Sequence, residues 1–118
     1  MTPNELVQHA CRLVTDVPVV SKVPMERPPL FVRVDQAAPR VLSPVHQRCR
    51  VMVQVYGQDL EEVLELSDQL RRQLEDFDMC HDRAFGSEEI DGPVDFQDPD
   101  LPEIQRWQIT ALIYMATS

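Results

Sequence analysis

With 118 residues and 43% apolar side chains, the chain has the size and composition of one compact domain built around a single core. Twenty acidic residues against 11 basic ones give a formal net charge of −9, which disfavours a general phosphate-neutralising grip on nucleic acid, because that needs clustered lysine and arginine. No stretch approaches the roughly 18 consecutive apolar residues of a membrane span, and the first residues lack the basic start and apolar run of a signal peptide, so a cytosolic protein without a membrane contact is expected.

The first helix is announced by Thr2, Pro3 and Glu5. Thr2 suits the cap, Pro3 the first turn, and Glu5 stands three residues after the cap to complete a capping box. Leu6, Ala10, Leu13 and Val14 then recur at helical spacing, with Val7 and Cys11 beside them, so a helix is predicted over 3–15. Pro18 ends it. Residues 19–23 form a short β-prone run closed by Pro24, and Pro28 and Pro29 make the stretch before residue 30 a stiff connection.

A second strand is predicted over 30–35, with Leu30, Val32 and Val34 on one face and Phe31, Arg33 and Asp35 on the other. Pro39 and Pro44 bound a loop. Over 48–56 the two-residue period is at its clearest: Cys49, Val51, Val53 and Val55 face a core, while Arg48, Arg50, Met52, Gln54 and Tyr56 face water or a partner. Gly57 turns the chain, Asp59 suits a cap with Glu62 three residues on, and an apolar stripe of Leu60, Val63, Leu64, Ser67, Leu70, Leu74 and Phe77 predicts a long amphipathic helix over 59–77.

From residue 75 to 103 acidic residues crowd the sequence, Arg83 is the one base, and Gly86, Gly92, Pro93, Pro99 and Pro102 interrupt any long element. This stretch reads as loop, with one short strand near 83–90. A last strand is predicted over 104–116, where Trp107, Ile109, Ala111, Ile113 and Met115 alternate with Arg106, Gln108, Thr110, Leu112 and Tyr114. The expected architecture is α+β, a single domain over 1–118: a mixed or antiparallel sheet of four to five strands flanked by two helices, in the order α-β-β-β-α-(β)-β.

Catalytic and metal signatures are sparse. There is no glycine-rich phosphate cradle, no HExxH and no nucleophile elbow. His46-x-x-Cys49 and Cys80-His81 offer four soft ligands in two pairs, but adjacent residues rarely converge on one ion, and Cys49 falls on an apolar strand face where small buried cysteines are common. Cys80, His81 and Asp82 in a row are a poor triad, since a working one is assembled in space. Glu88, Glu89 and Asp91 lack the spacing of a calcium loop. Cys11, Cys49 and Cys80 read as free thiols, and no catalytic residue, metal ligand or cofactor is assigned.

The segment VVSKVPMERPPLFVRV, residues 19–34, resembles the tail terminator proteins of long-tailed phages of actinobacteria. The shared pattern is a helix leading to a valine-rich strand, a basic-proline step at Lys22 to Pro24, the pair Arg27-Pro28, and an aromatic-Val-Arg-Val strand at Phe31 to Val34. A looser likeness covers the helix at 59–77 and the proline-rich approach to the last strand. After Val34 the chain departs from the pattern, with Asp35-Gln36-Ala37-Ala38 where such proteins continue with arginine and a glycine pair.

The resemblance implies a structural virion protein: a ring of six copies at the head-proximal end of the tail tube, which stops tube polymerisation and offers a surface to a head-completion or connector protein. Its partners would be further copies of itself, the tail tube protein and that connector, with DNA passing through without specific binding. It would act in the virion tail after assembly in the host cytoplasm. Arg27, Phe31, Arg33, Arg48, Arg50 and Tyr56 are candidates for the contacts between copies or with partners. Glu88, Glu89, Asp91 and Asp95 are candidates for an acidic lumen or partner surface. The competing readings are another neck component and, from a different class, a small metal- or thiol-dependent enzyme built on His46, Cys49, Cys80 and His81.

Overall fold

The computed structural model describes residues 1–117. The element order is α1 (Pro3–Arg12), β1 (Val19–Val20), β2 (Leu30–Gln36), β3 (Arg40–Ser43), β4 (His46–Gly57), α2 (Leu60–Glu75), a 3-10 turn (Phe77–Met79), β5 (Ala84–Asp95) and β6 (Gln105–Ala116). Two helices and one mixed sheet of six strands make an α+β fold. Strand order is β1-β2-β4-β6-β5, with β3 pairing β4 beside that path. Among the described residues only β1 and β2 run parallel; every other pair is antiparallel.

The spine is β4 against β6. They pair along their whole length, from His46 opposite Ala116 to Gly57 opposite Gln105. Cys49, Val51, Val53 and Val55 alternate with the outward residues of β4, and Ile109, Ala111, Ile113 and Met115 do the same on β6, so both strands turn an apolar row to one side. On that side lie the apolar faces of both helices: Leu6, Val7, Ala10 and Cys11 of α1, and Val63, Leu66, Leu70 and Leu74 of α2. One continuous core results. Among the described residues the opposite face of the sheet carries no helix.

The capping box expected at Thr2 and Glu5 is present in both directions: the Glu5 amide donates to Thr2 Oγ1 at 3.1 Å, and the Thr2 amide donates to Glu5 Oε1 at 3.0 Å. At α2 the Asp59 carboxylate accepts instead from the Glu61 amide, at 3.0 Å. The helices are tied to their neighbours by polar bonds at their edges. Gln73 donates to the Ala10 carbonyl at 3.0 Å, and Asn4 donates to the Val34 carbonyl at 2.8 Å.

Three expectations need correction. Residues 13–15 lie outside α1, leaving Leu13 and Val14 exposed. The loop between Pro39 and Pro44 contains β3, a four-residue strand that doubles back onto the start of β4. Within the acidic stretch, the short strand expected near 83–90 is the longer β5, a 12-residue edge strand over Ala84–Asp95. Its alternation is hidden because register shifts fall between Ala84 and Gly86, between Glu88 and Asp91, and between Asp91 and Val94, and each shift resets which side chains face inward. No helix among the described residues is long and apolar enough to cross a membrane.

Candidate functional site

The helix-free face of the sheet gathers most of the residues singled out in the sequence, and the ladder registers fix where each one lies. Phe31, Tyr56 and Arg106 form one cross-strand row; Arg33, Gln54, Gln108 and Val94 the next; Asp35, Met52, Thr110 and Asp91 a third. Further along come Arg50, Leu112 and Glu88, then Arg40, Arg48, Tyr114 and Gly86. Across the strands, Arg33, Arg40, Arg48 and Arg50 of β2, β3 and β4 therefore stand toward one side of the face and Glu88 and Asp91 of β5 on the other, with Asp35 on β2 and Arg106 on β6 crossing that division.

Phe31 and Tyr56 belong to this face but are not surface: they are 1% and 0% exposed. Their rings stack with centroids 4.6 Å apart and planes 8° from parallel. Around them runs a polar network. Tyr56 Oη donates to Gln54 Oε1 at 3.2 Å and accepts from Arg106 Nη1 at 3.2 Å. Gln54 Nε2 donates in turn to Asp35 Oδ2 at 3.2 Å and to Gln108 Oε1 at 3.1 Å. The Arg106 guanidinium lies 4.2 Å from the centroid of the Phe96 ring and 3.8 Å from Asp98, which folds the 96–104 connection back over this end of the sheet.

The arginine candidates divide by their surroundings. Arg33 lies beside Asp35: Nη2 donates to Oδ1 at 3.3 Å, while Nε sits 3.1 Å from Oδ2 without the alignment of a hydrogen bond. Arg50 pairs with Glu89 at 2.9 Å. Arg48 is half-buried beside Tyr114, and Arg27 is exposed on the connection before β2; neither has an ion-pair partner among the described residues.

The acidic candidates all lie on β5 and all are exposed. Glu88 accepts a hydrogen bond from the Tyr114 hydroxyl, which holds the phenol in its neutral form and raises its pKa above the ordinary tyrosine value. Glu89 adopts the left-handed backbone region, at φ 50°, inside one of the register shifts. Asp91 and Asp95 have no cationic partner among the described residues.

The residues considered for metal or thiol chemistry are dispersed. His46 lies on the helix-free side, near the rings of Phe85 and Tyr114. Cys49 is in the core, its thiol 3.3 Å from the Ala37 carbonyl. Cys80 is buried as well. Burial pushes its thiol pKa up, which disfavours the nucleophilic thiolate. His81 Nδ1 accepts from the Arg83 amide at 3.0 Å, and its ring meets His9 edge to face at 5.2 Å. Among the described residues no three His, Cys, Asp or Glu side chains are grouped to hold a metal ion.

The polar network of Gln54, Gln108 and Arg106 and the exposed aliphatics of β3 are the features that sequence reasoning missed. The first had a signal in the register of two strands with glutamine at matching positions; the second was hidden by the flanking prolines. No protein-family model and no characterised protein matches the chain in sequence.

Proposed function

We propose that the protein is a structural component of a phage tail: six copies close a ring on the head-proximal end of the tail tube, end its polymerisation, and present a surface to the connector of the head. The observation that carries this reading is the segment that resembles tail terminators. Its two halves are adjacent strands: Val19 and Val20 of β1 pair in parallel with Val32 and Arg33 of β2, directly after α1. The motif is thus one packed unit, a helix and a parallel strand pair at the rim of the sheet.

Two further features support it. A sheet face without a helix among the described residues, with Arg40, Arg48 and Arg50 on β3 and β4 and Glu88 and Asp91 on the β5 edge, has the asymmetry that heterologous contacts between copies require. The exposed carboxylates of β5, on a chain of net charge −9, repel phosphate and so suit a passage for DNA. The test is removal of the protein from cells assembling the phage that encodes it. Tails of unregulated length that fail to join heads are the expected result; tails of normal length joined to filled heads would overturn the proposal.

A further inference from the structure

We infer that the β3–β4 hairpin is an arm that inserts into a cleft of a second copy of this chain, where the connection after α1 meets α2 and the first residue of β2. The inference rests on the ring reading and specifies how one copy holds the next.

The arm is apolar, and nothing among the described residues covers its aliphatic side chains. Val41 is 66% and Val45 70% exposed, Leu42 is exposed beside them, and β3 pairs only with the first residues of β4. Aliphatic side chains presented together on a short hairpin are a poor solvent surface, whereas isolated ones are ordinary. Arg40 begins the arm, exposed and with no carboxylate partner among the described residues.

The cleft has the complementary chemistry. It measures about 210 Å³, its floor is made of Val17, Leu30 and Leu66, and Glu62 and Glu65 stand on its rim, exposed and likewise without a cationic partner among the described residues. An aliphatic tip on an aliphatic floor, with Arg40 brought to Glu62 and Glu65, satisfies both surfaces at once.

A chain cannot fill its own cleft. The arm lies at His46 and the cleft beyond Gly57, at opposite ends of β4, which as a 12-residue strand spans roughly 36 Å. The contact is therefore between copies and joins two different surfaces. Repeated, it propagates head to tail, and it closes into a ring when the rotation between neighbours divides a full turn.

The experiment uses two variants of the full chain whose changes are confined to exposed side chains: an arm variant, Val41→Asp with Val45→Asp, and a cleft variant, Glu62→Arg with Glu65→Arg. Circular dichroism establishes that each folds, and sedimentation velocity across micromolar concentrations gives the species present. The wild-type chain is expected to assemble and each variant alone to remain a monomer. Mixed, the two variants are expected to form a two-chain species and nothing larger, because the intact arm of one meets the intact cleft of the other and the remaining ends are both blocked. Assembly of either variant alone to the wild-type size would overturn the inference and leave the ring to be held by other surfaces. A wild-type chain that stays monomeric at these concentrations would overturn it too, while the tail-length experiment tests the ring itself independently.

Discussion

Tyr56 shows how much a single side chain decides on the helix-free face. Alternation along β4 places it opposite the core, and it is indeed opposite, but the stacked Phe31 ring and the network through Gln54 and Arg106 bury it completely. The period gives the face, and neighbours brought by other strands give the exposure. Tyr56→Phe keeps the ring stack and leaves Gln54 Oε1 without that donor and Arg106 Nη1 without that acceptor. A loss of about 1–3 kcal/mol in denaturant unfolding is expected, more than a surface hydroxyl would cost. Cys49 was legible as a core residue from its place among valines, and it lies there. Its thiol has the Ala37 carbonyl within reach, so Cys49→Ser keeps an acceptor and should cost about 1 kcal/mol, at the low end for a buried hydroxyl.

Cys11 supplies a prediction in pH. Complete burial pushes its thiol from the ordinary 9.0 up to about 12, with the Cys80 thiol adding to the rise and Arg12 opposing it. The folded chain therefore holds a proton that the unfolded chain gives up first. Its contribution to stability is whole below pH 9 and is lost as pH rises toward 12. Over that window the unfolding free energy should fall by about 1.4 kcal/mol per pH unit from this thiol alone. Urea titrations of the wild type and Cys11→Ala at pH 8, 9 and 10 check it: the variant should show the shallower decline, and equal slopes would refute the assignment.

At the scale of elements, the turn from β4 into α2 depends on Gly57. A Cβ there would meet Val63 Cγ2 at 2.6 Å and Leu30 Cδ1 at 2.9 Å, so helix and sheet approach too closely for any side chain. Leu30 ends in a flexible δ-methyl, but Val63 is β-branched and fixed on the first turns of α2. Gly57→Ala is expected to cost roughly 1–3 kcal/mol by thermal or denaturant unfolding, with α2 displaced. The two helices and the strands β2, β4 and β6 were readable because their caps and periods agree with the fold. Leu66 was absent from the stripe expected of α2 yet is buried, while Leu60 was included and is exposed, so the buried face begins at Val63 and runs through Leu66. β5 was not readable as one strand, because Gly86, Glu89 and Gly92 break its period, and a strand that turns Ala84, Ser87 and Ile90 inward offers little apolar signal. Prolines and bulges of this kind belong to edge strands, which is where β5 lies.

At the scale of the whole molecule, the acidic residues of β5 pose a problem of repulsion that assembly would sharpen. Six copies around an axis would bring their Asp91 and Asp95 side chains together with no cation among the described residues paired to them, whereas Glu89 is held by Arg50 and Glu88 by Tyr114. Exposed charges separated by more than about 8–10 Å of salt solution hardly interact, so such a cluster is tolerable in a water-filled passage or opposite a basic partner, and intolerable in a dry contact between copies. An outward direction in the assembly would make the same residues inert. Asp91→Lys with Asp95→Lys separates these arrangements. Both positions are exposed, so the folded stability should move by no more than about 0.5 kcal/mol, which unfolding curves would establish first. If the strand lines the passage or meets the connector, virions carrying the double variant should have tails of normal length but fail in joining or in DNA release, since lysine beside the duplex grips phosphate instead of repelling it. Fully infectious virions with wild-type tails would show that this edge of the sheet faces solvent and takes no part in either event.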